Sequence, residues 1–254
     1  MTCVGSKNYE GPSIRNTLDA LIERGKKNYV EGLFREWKRT LLQHMHSSPT
    51  LPEARSIYRG ALWNASLEAF KRIQEPCNLW IMSCGFGFIN AQEKISGYHA
   101  TFKTGVEDSL FNSNYFNSMK KENVKKQWWN LLSDQGIIET TYPKSIHELV
   151  GSSNSKDVVL ISAGSDYYEA IIDDLHKIDA SQRLPKLAFV GIQKMNGNYN
   201  PEMPKKLELF IQSYSSGVDL RKFLGCSAIQ IHAKSATYLI EQYNRTGKLE
   251  YMFP

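Results

Sequence analysis

Small, hydroxyl-bearing and aromatic residues follow three apolar segments of this sequence, and they are the first candidates for chemistry. They are Ser83-Cys84-Gly85-Phe86-Gly87, Gly164-Ser165-Asp166-Tyr167-Tyr168 and Gly191. Small residues let a ligand approach the backbone, N–H groups at the start of a helix can hold an anion, and aromatic rings can stack on a base. The same residues also have ordinary structural uses, because glycines make turns and serines cap helices. Both interpretations are open at this stage.

The elements that would position these residues alternate along the chain. Apolar segments that predict strands stand at 77–83, 157–163, 187–192, 207–213 and 228–232. Helical patterns separate several of them, and this order is typical of an α/β three-layer sandwich with a mostly parallel central sheet. In an open parallel sheet, ligands bind outside the carboxyl ends of the strands. The sequence therefore predicts a ligand crevice at that edge of the sheet.

Residues 13–48 are predicted to be a helical insertion within a single α/β domain that spans 1–254. Ser13 can cap the first helix, and apolar residues recur at helical spacing in both halves of the segment. The second half carries a basic face with Arg35, Lys38 and Arg39. That face is explained either as the solvated side of a packing element or as a surface for nucleic acid.

Helical structure is also expected over 52–72 and over most of 103–135. In the second of these segments, Trp128 and Trp129 are predicted to be core residues rather than a platform for a cofactor.

The composition narrows the class of protein. The chain has 254 residues, of which 41% are hydrophobic, so one large domain with a real core is expected. No apolar run is long enough to cross a membrane, and the first residues do not resemble a signal peptide. The four cysteines form no C-x-x-C pair, so we expect reduced thiols, no structural zinc site and a cytoplasmic protein. The net charge of +5 permits contact with nucleic acid without demanding it.

The sequence lacks the motifs of several common reactions. It has no G-x-S-x-G elbow, no G-x-x-x-x-G-K-[ST] loop and no H-E-x-x-H pair, and "GFGFIN" matches only the start of G-x-G-x-x-G. Cys84 has no close histidine other than His99, which favours a small buried residue over a nucleophile. Asp166 and Glu93 are the nearest carboxylates, interpreted as a helix cap and a loop charge. The cofactor, the reaction and the question of catalysis itself are left open.

Five short motifs in this order resemble the YaaA-like family of bacterial and phage proteins, named after a peroxide-stress protein. The motifs are Cys3-x-x-x-Lys7, Ala54-x-x-Ile57-Tyr58, Trp80-Ile81-Met82-Ser83-Cys84-Gly85-x-Gly87-Phe88-Ile89, Ile95-x-x-Tyr98-x-x-Thr101 and Leu160-Ile161-Ser162-Ala163-Gly164-x-x-Tyr167. The chain departs from the family pattern where Cys84 replaces an alanine and Gly97 replaces a proline. Only two residues precede Cys3, and the chain beyond about residue 195 matches no family motif.

The resemblance implies an α/β fold reminiscent of nucleobase-processing enzymes, with links to DNA binding, oxidative stress and phage defence. Carried over by motif, the ligand-binding candidates are Cys3, Lys7, Ser83, Gly85, Gly87, Tyr98, Thr101, Gly164 and Tyr167. Lys7 would neutralise an anion. The two glycines near residue 85 would let a ligand approach closely, and the two tyrosines would stack on it or donate hydrogen bonds.

Three functions follow as alternatives. The first is a cytosolic protein that binds a nucleobase, nucleotide or nucleic acid and acts on an N-glycosidic bond. The second is a non-catalytic DNA- or protein-binding module for stress response or antiviral defence, which would use the basic face at Arg35, Lys38 and Arg39. The third is a subunit of a larger assembly, whose interface would include exposed Trp37 and Trp63 and the C-terminal "LEYMFP".

Overall fold

The computed structural model describes residues 9–111, 114–179, 184–195, 198–200, 202–212, 218–227 and 230–249. Cys3, Lys7 and the "LEYMFP" tail beyond Leu249 therefore lie outside the described residues. The protein is a mixed α/β protein. Its α-helices are α1 Ile14–Glu23, α2 Val30–Ser47, α3 Ala54–Ile57, α4 Ala61–Lys71, α5 Lys121–Gln135, α6 Ile146–Ser152, α7 Ser165–His176, α8 Val218–Leu224 and α9 Ile231–Thr246. Short 3-10 helices span Asn114–Phe116 and Lys205–Phe210.

The strands are β1 Trp80–Ser83, β2 Gly87–Asn90, β3 Val158–Ser162, β4 Lys186–Val190, β5 Gln193–Met195, β6 Asn198–Asn200 and β7 Ile211–Gln212. Within the described part of the chain they form three small sheets. β1 pairs with β2 and β5 with β6, both antiparallel, whereas β3, β4 and β7 form a parallel sheet in that order.

The prediction that 77–83 is a strand of the parallel sheet is wrong. The strand begins at Trp80 and pairs antiparallel with β2, with Ser83 opposite Gly87. The connection between these two strands is a tight turn, and a parallel pair would need a crossover of about a dozen residues or more. The crevice predicted at Ser83 is therefore the turn of a hairpin and not the carboxyl edge of the parallel sheet.

The parallel sheet is covered on both faces. Leu187 and Phe189 of β4 belong to the main hydrophobic core, whereas Ala188 and Val190 pack in a second cluster with Ile231 of α9 and its helix neighbours. On the main-core side, the Tyr168 hydroxyl of α7 donates to backbone carbonyls of both β3 and β4, at 3.1 and 2.9 Å. A strand buried on both faces explains the continuous apolar run in its sequence.

The predicted helical pair within 13–48 is confirmed as α1 and α2. Ser13 is the N-cap, and its hydroxyl accepts a hydrogen bond from the Arg15 N–H. The apolar faces of both helices belong to the same core as β1, α5 and α7. The pair is thus packed into the body of the protein and does not form a separate core of its own.

Other helical predictions hold in part. Trp128 and Trp129 are fully buried on α5, as predicted. The helix expected over 52–72 is two helices, α3 and α4, because the chain turns at Gly60, whose φ of +104° suits glycine and interrupts a helix.

Two predicted strands near the C-terminus differ from the structure. The segment 207–213 is mostly a 3-10 helix, followed by the two-residue β7. Ile231 and His232, expected to end a strand, begin α9 instead, and residues 228 and 229 lie outside the described part. The apolar residues Ile231, Ala236, Leu239 and Ile240 share the buried face of α9, and this longer helical period outweighs the short β-branched run. No helix among the described residues has the length and apolar character to span a membrane.

Candidate functional site

The structure brings together three of the residues predicted to bind a ligand, Ser83, Gly85 and Tyr98. The Tyr98 hydroxyl is hydrogen-bonded to Ser83 Oγ at 2.6 Å and to the Tyr58 hydroxyl at 3.0 Å. Its ring lies on Gly85, where a Cβ atom would come within 2.5 Å of the ring carbons. Only glycine permits this approach. All of these groups are buried, so the cluster packs against itself.

The turn that follows Ser83 is closed by hydrogen bonds from three directions. Ser83 Oγ accepts from the backbone N–H groups of Gly85 and Phe86, at 3.2 and 3.0 Å. The Trp37 indole N–H donates to the Gly85 carbonyl at 2.9 Å, and the Trp128 indole N–H donates to the preceding carbonyl at 2.8 Å. The polar groups of this turn are hydrogen-bonded inside the core. The turn is therefore a closed structural element and not an open crevice.

The remaining residues of the hairpin also have structural roles. Cys84 is buried within the core, in agreement with the interpretation of a small buried residue. Gly87 has a φ of +83°, and a Cβ atom there would lie 3.0 Å from Leu132 Cβ of α5. Glycine is needed at this position because of both the backbone conformation and the neighbouring helix.

Two other predicted site residues lie in different surroundings. Tyr167 is buried on α7, with its ring edge-on to Phe102 at a centroid distance of 5.3 Å and to Trp129 at 6.5 Å. Thr101 bridges to Ser109, and its hydroxyl accepts from the backbone N–H of Lys103 at 3.2 Å. These contacts make Tyr167 part of an aromatic core and Thr101 part of a surface turn.

Gly164 marks the carboxyl edge of the parallel sheet, where the chain leaves β3 and enters α7. Gly191 occupies the corresponding place after β4, and His232 of α9 lies against both glycines. A Cβ atom at Gly191 would come 2.8 Å from His232 Nδ1 and 1.9 Å from the Ala163 carbonyl oxygen, and one at Gly164 would come 3.6 Å from His232 Nε2. The imidazole thus fits between two strand ends that lack side chains. We name this group of Gly164, Gly191 and His232 the strand-edge site.

His232 was not among the sequence candidates. Its position depends on how α9 packs against the sheet, and no neighbouring motif marks it. Ser162 Oγ at the end of β3 donates to the His232 carbonyl at 3.1 Å and fixes the start of the helix there. Burial lowers the pKa of His232 to about 4, so its ring is neutral at pH 7 and has one donor and one acceptor nitrogen.

The carboxylates near the start of α7 are held by a buried amine. Lys125 Nζ of α5 lies 2.6 Å from Asp166 Oδ1 and 2.6 Å from Glu169 Oε2, and the lysine side chain is only 6% exposed. Burial acts to lower the pKa of Lys125, but the hydrogen bonds to both carboxylates outweigh it and the pKa is raised. Asp166, predicted to cap α7, lies in its first turn and Gly164 is the N-cap. A carboxylate bound this closely to a cation is a weak general base.

His147 has neighbours that resemble a Ser-His-Asp triad in composition only. Ser145 Oγ and Asp174 Oδ1 lie 2.8 and 2.7 Å from the same ring nitrogen, Nδ1. A catalytic triad needs the serine on one ring nitrogen and the carboxylate on the other. Asp174 also accepts from the backbone N–H of Ile146 at 2.7 Å, so this group caps the start of α6.

The structure gives Glu93 a different role from the loop charge that the sequence predicts. It is 9% exposed, and its Oε2 accepts from the Asn90 N–H at 2.7 Å at the end of β2. Its Oε1 meets no hydrogen-bond partner among the described residues. Glu93 therefore acts as a buried cap for the hairpin.

The basic face of α2 is engaged within the protein. Arg39 pairs with Glu36 at 2.8 Å, and Lys38 Nζ donates to the Gln135 carbonyl at 3.1 Å. Arg35 donates to the Tyr29 hydroxyl at 3.0 Å and lies over that ring. The Arg39–Glu36 pair offsets one positive charge of this face, whereas Arg35 and Lys38 are held by neutral acceptors and keep theirs.

The expectation that Trp37 and Trp63 are exposed at an interface is wrong. The two side chains are 0% and 2% exposed. Trp37 is buried because its indole closes the hairpin turn, and Trp63 because it packs on Tyr58 with ring centroids 5.2 Å apart.

The described residues thus contain a closed hydroxyl cluster around Tyr98 and a strand-edge site around His232. Within them, no group of three or more His, Cys, Asp or Glu side chains could hold a metal ion. Neither the protein-family models nor the curated proteins contain a match to this chain.

Proposed function

We propose that this protein binds a nucleobase, nucleoside or nucleotide at the strand-edge site. The observation that carries the proposal is the position of the His232 ring against Gly164 and Gly191, at the ends of two adjacent parallel strands. The carboxyl edge of a parallel sheet is the usual place for a ligand in α/β proteins. As a whole residue, His232 is partly buried, so it lies at the boundary between the core and the surface.

The chemistry of the site favours the planar, uncharged part of such a ligand. A neutral imidazole donates one hydrogen bond and accepts one, which matches the donors and acceptors on the edge of a base. The two glycines leave room for the His232 ring at the strand ends, which places the imidazole at this edge of the sheet. Asp166 in the first turn of α7 is already paired with Lys125, so neither of these charges is available to a phosphate at that helix start. We therefore assign the base, rather than a phosphate, to the strand-edge site.

The proposal is for binding and not for cleavage of the N-glycosidic bond. A glycosidic reaction uses a carboxylate as acid, base or nucleophile. The carboxylates closest in sequence to Gly164 are Asp166 and Glu169, and both are paired with Lys125. An assay for free base released from nucleosides tests this distinction directly, and we expect no release.

The resemblance to the YaaA-like family is part of the same proposal, together with a cytosolic role in stress response or phage defence. The proposed architecture is a three-layer sandwich around β3, β4 and β7, with α7 and α9 on opposite faces. In this proposal Gly164 contacts the ligand, while Ser83, Gly85 and Tyr98 support the fold. Cys3 and Lys7 stay predictions of the sequence.

The proposal is tested by calorimetric titration with purine and pyrimidine bases, nucleosides and nucleoside monophosphates. We expect at least one base class to bind, and the His232→Ala variant to lose tenfold or more in affinity. His46→Ala is the matched control, since His46 is an exposed histidine of α2. Absence of binding to every compound would overturn the proposal. DNA binding that falls steeply with salt and does not depend on His232 would instead favour the DNA-binding alternative.

A further inference from the structure

A second concave surface lies where α8 ends and the chain leads towards α9. It is a cavity of about 470 Å³ lined by Arg221, Lys222, Gly225, Cys226 and Ser227. It is shallow and open to solvent, with Lys222, Gly225 and Ser227 exposed, so it suits one polar group of a ligand rather than an enclosed molecule. The cavity is separate in sequence from the residues that form the strand ends.

The cavity contains positive charge that the described residues do not neutralise. Arg221 Nε is buried and meets no hydrogen-bond acceptor there. Within the same described residues, neither Arg221 nor Lys222 forms an ion pair, whereas Arg24, Arg39 and Lys125 each lie against a carboxylate. A buried guanidinium N–H without an acceptor is costly, and an anion in the cavity would satisfy it.

The thiol in the cavity is not a nucleophile at neutral pH. Burial raises the pKa of Cys226, and the nearby charges of Lys234 and Arg221 oppose this shift without reversing it. A protonated thiol neither attacks a substrate nor repels an anion. The cavity is therefore suited to binding and not to covalent chemistry.

Ser227, at the edge of the cavity, is hydrogen-bonded to Gln230, which comes two residues before His232 in the sequence. Gln230 Oε1 accepts from the Ser227 hydroxyl at 3.0 Å and from the Ser227 N–H at 3.4 Å. Only the few residues from Ser227 to Ile231 separate this cavity from His232 along the chain. A ligand at the strand-edge site and a group in the cavity would thus flank the start of the same helix.

We infer that this cavity binds a phosphate monoester, and that it takes the 5′-phosphate of a nucleotide whose base lies at the strand-edge site. The inference rests on the proposed function for the position of the base, and on Arg221 and Lys222 for the phosphate. A guanidinium holds phosphate oxygens with two parallel hydrogen bonds, and an ammonium adds a point charge. Because Arg221 and Lys222 line the cavity, the phosphate is assigned there.

The two cations also have a structural role, since basic residues in the last turn of α8 stabilise its C-terminal end. The test must therefore separate phosphate binding from stability. Calorimetric titration of the full chain with adenosine, guanosine, their 5′-monophosphates and inorganic phosphate does so. Arg221→Gln/Lys222→Gln is the test variant, and Lys26→Gln/Lys27→Gln removes the same charge from the α1–α2 connection.

For the purine that binds, we expect the monophosphate to bind at least tenfold more tightly than the nucleoside. The Arg221→Gln/Lys222→Gln variant should lose this difference while it keeps its affinity for the nucleoside, and the Lys26→Gln/Lys27→Gln control should keep both. Equal affinity for nucleoside and monophosphate in the wild-type protein would overturn the inference and leave the proposed function standing. Phosphate binding that depends on Arg221 without any nucleoside binding would support the anion site and overturn the nucleotide assignment. Tighter binding of single-stranded DNA than of any monophosphate would overturn the assignment to a nucleotide.

Discussion

The hydroxyl of Tyr98 lies 2.6 Å from Ser83 Oγ and 3.0 Å from the hydroxyl of Tyr58, inside the core. Tyr98 therefore connects the end of β1 with the turn between α3 and α4. Removal of the Tyr98 hydroxyl would take one hydrogen-bond partner from each of the other two hydroxyls. The hydrogen-bonding role of Tyr98 can be measured separately from the role of its ring.

Tyr98→Phe should lower the free energy of unfolding by about 1–3 kcal/mol, because it keeps the ring but leaves two buried hydroxyls with one partner fewer. Urea denaturation followed by circular dichroism measures this change. Tyr142→Phe is the matched control, since Tyr142 is exposed and contacts Trp80 through its ring. Equal stability of the two variants would contradict the proposed role of the Tyr98 hydroxyl.

Gly85→Ala should destabilise the protein by about 1–3 kcal/mol, because the new methyl group would press on the Tyr98 ring. That ring cannot move away easily, since it is packed against Trp37 and Phe86. Gly151→Ala is the control, because Gly151 lies within α6 and has nothing within 4 Å of the added Cβ. The control should be neutral or more stable by up to about 1 kcal/mol. If both variants behave alike in thermal unfolding, Tyr98 does not restrict Gly85.

Lys125→Met should cost about 2–3 kcal/mol of stability, less than for a fully buried pair because Asp166 is 40% exposed. The change leaves Asp166 and Glu169 as two neighbouring negative charges without their cation. The triple variant Lys125→Met/Asp166→Asn/Glu169→Gln removes all three charges and should recover most of the loss. Chemical denaturation of both variants measures the difference. A triple variant that is no more stable than the single one would show that the packing of the lysine stem, and not its charge, matters.

Stability should depend on pH through His232. Its pKa is about 6.5 in the unfolded chain and about 4 in the folded protein, so the unfolded state binds more protons between these values. The effect of this histidine on the pH dependence therefore fades as the pH rises above 6.5. Its protonation reduces stability as the pH falls towards 4, by at most about 3 kcal/mol.

Denaturation curves at pH 7, 5.5 and 4.5 compare the wild-type protein with His232→Asn and His46→Asn. The His232→Asn variant should lose less stability than the wild-type protein over this interval, and the His46→Asn control should follow the wild-type protein. Because other groups also titrate there, the difference between the curves is the relevant quantity. Parallel curves for wild type and His232→Asn would contradict a depressed pKa.

Much of the helical structure could be predicted because its signals are local. Ser13 and the apolar spacing after it mark α1, and the apolar run at 158–162 marks β3. The nearness of Tyr98 to Gly85 was also predictable from the pattern of small and aromatic residues. Whether that contact opens or closes a crevice was not predictable, because the answer depends on two tryptophans from distant helices.

The strand-edge site illustrates what a single sequence cannot supply. Gly164 and Gly191 are visible as strand ends, but His232 reaches them only through the packing of α9 on the sheet. The run at 228–232 suggests a strand, which would direct its side chains to alternate faces. Because Ile231 and His232 instead begin a helix, the histidine lies next to the strand ends. The assignment of 228–232 to a strand therefore kept His232 out of the candidate residues.

The indoles of Trp37 and Trp128 donate to adjacent carbonyls of one turn, although they come from α2 and α5. If either helix moved away from the body of the protein, one of these buried carbonyls would therefore lose its hydrogen-bond donor. Deletion of residues 13–48 would therefore destabilise the remaining fold, because this segment is not an independent module. Tryptophan fluorescence, to which these two of the five indoles of the chain contribute, should change when both helices dock on the hairpin.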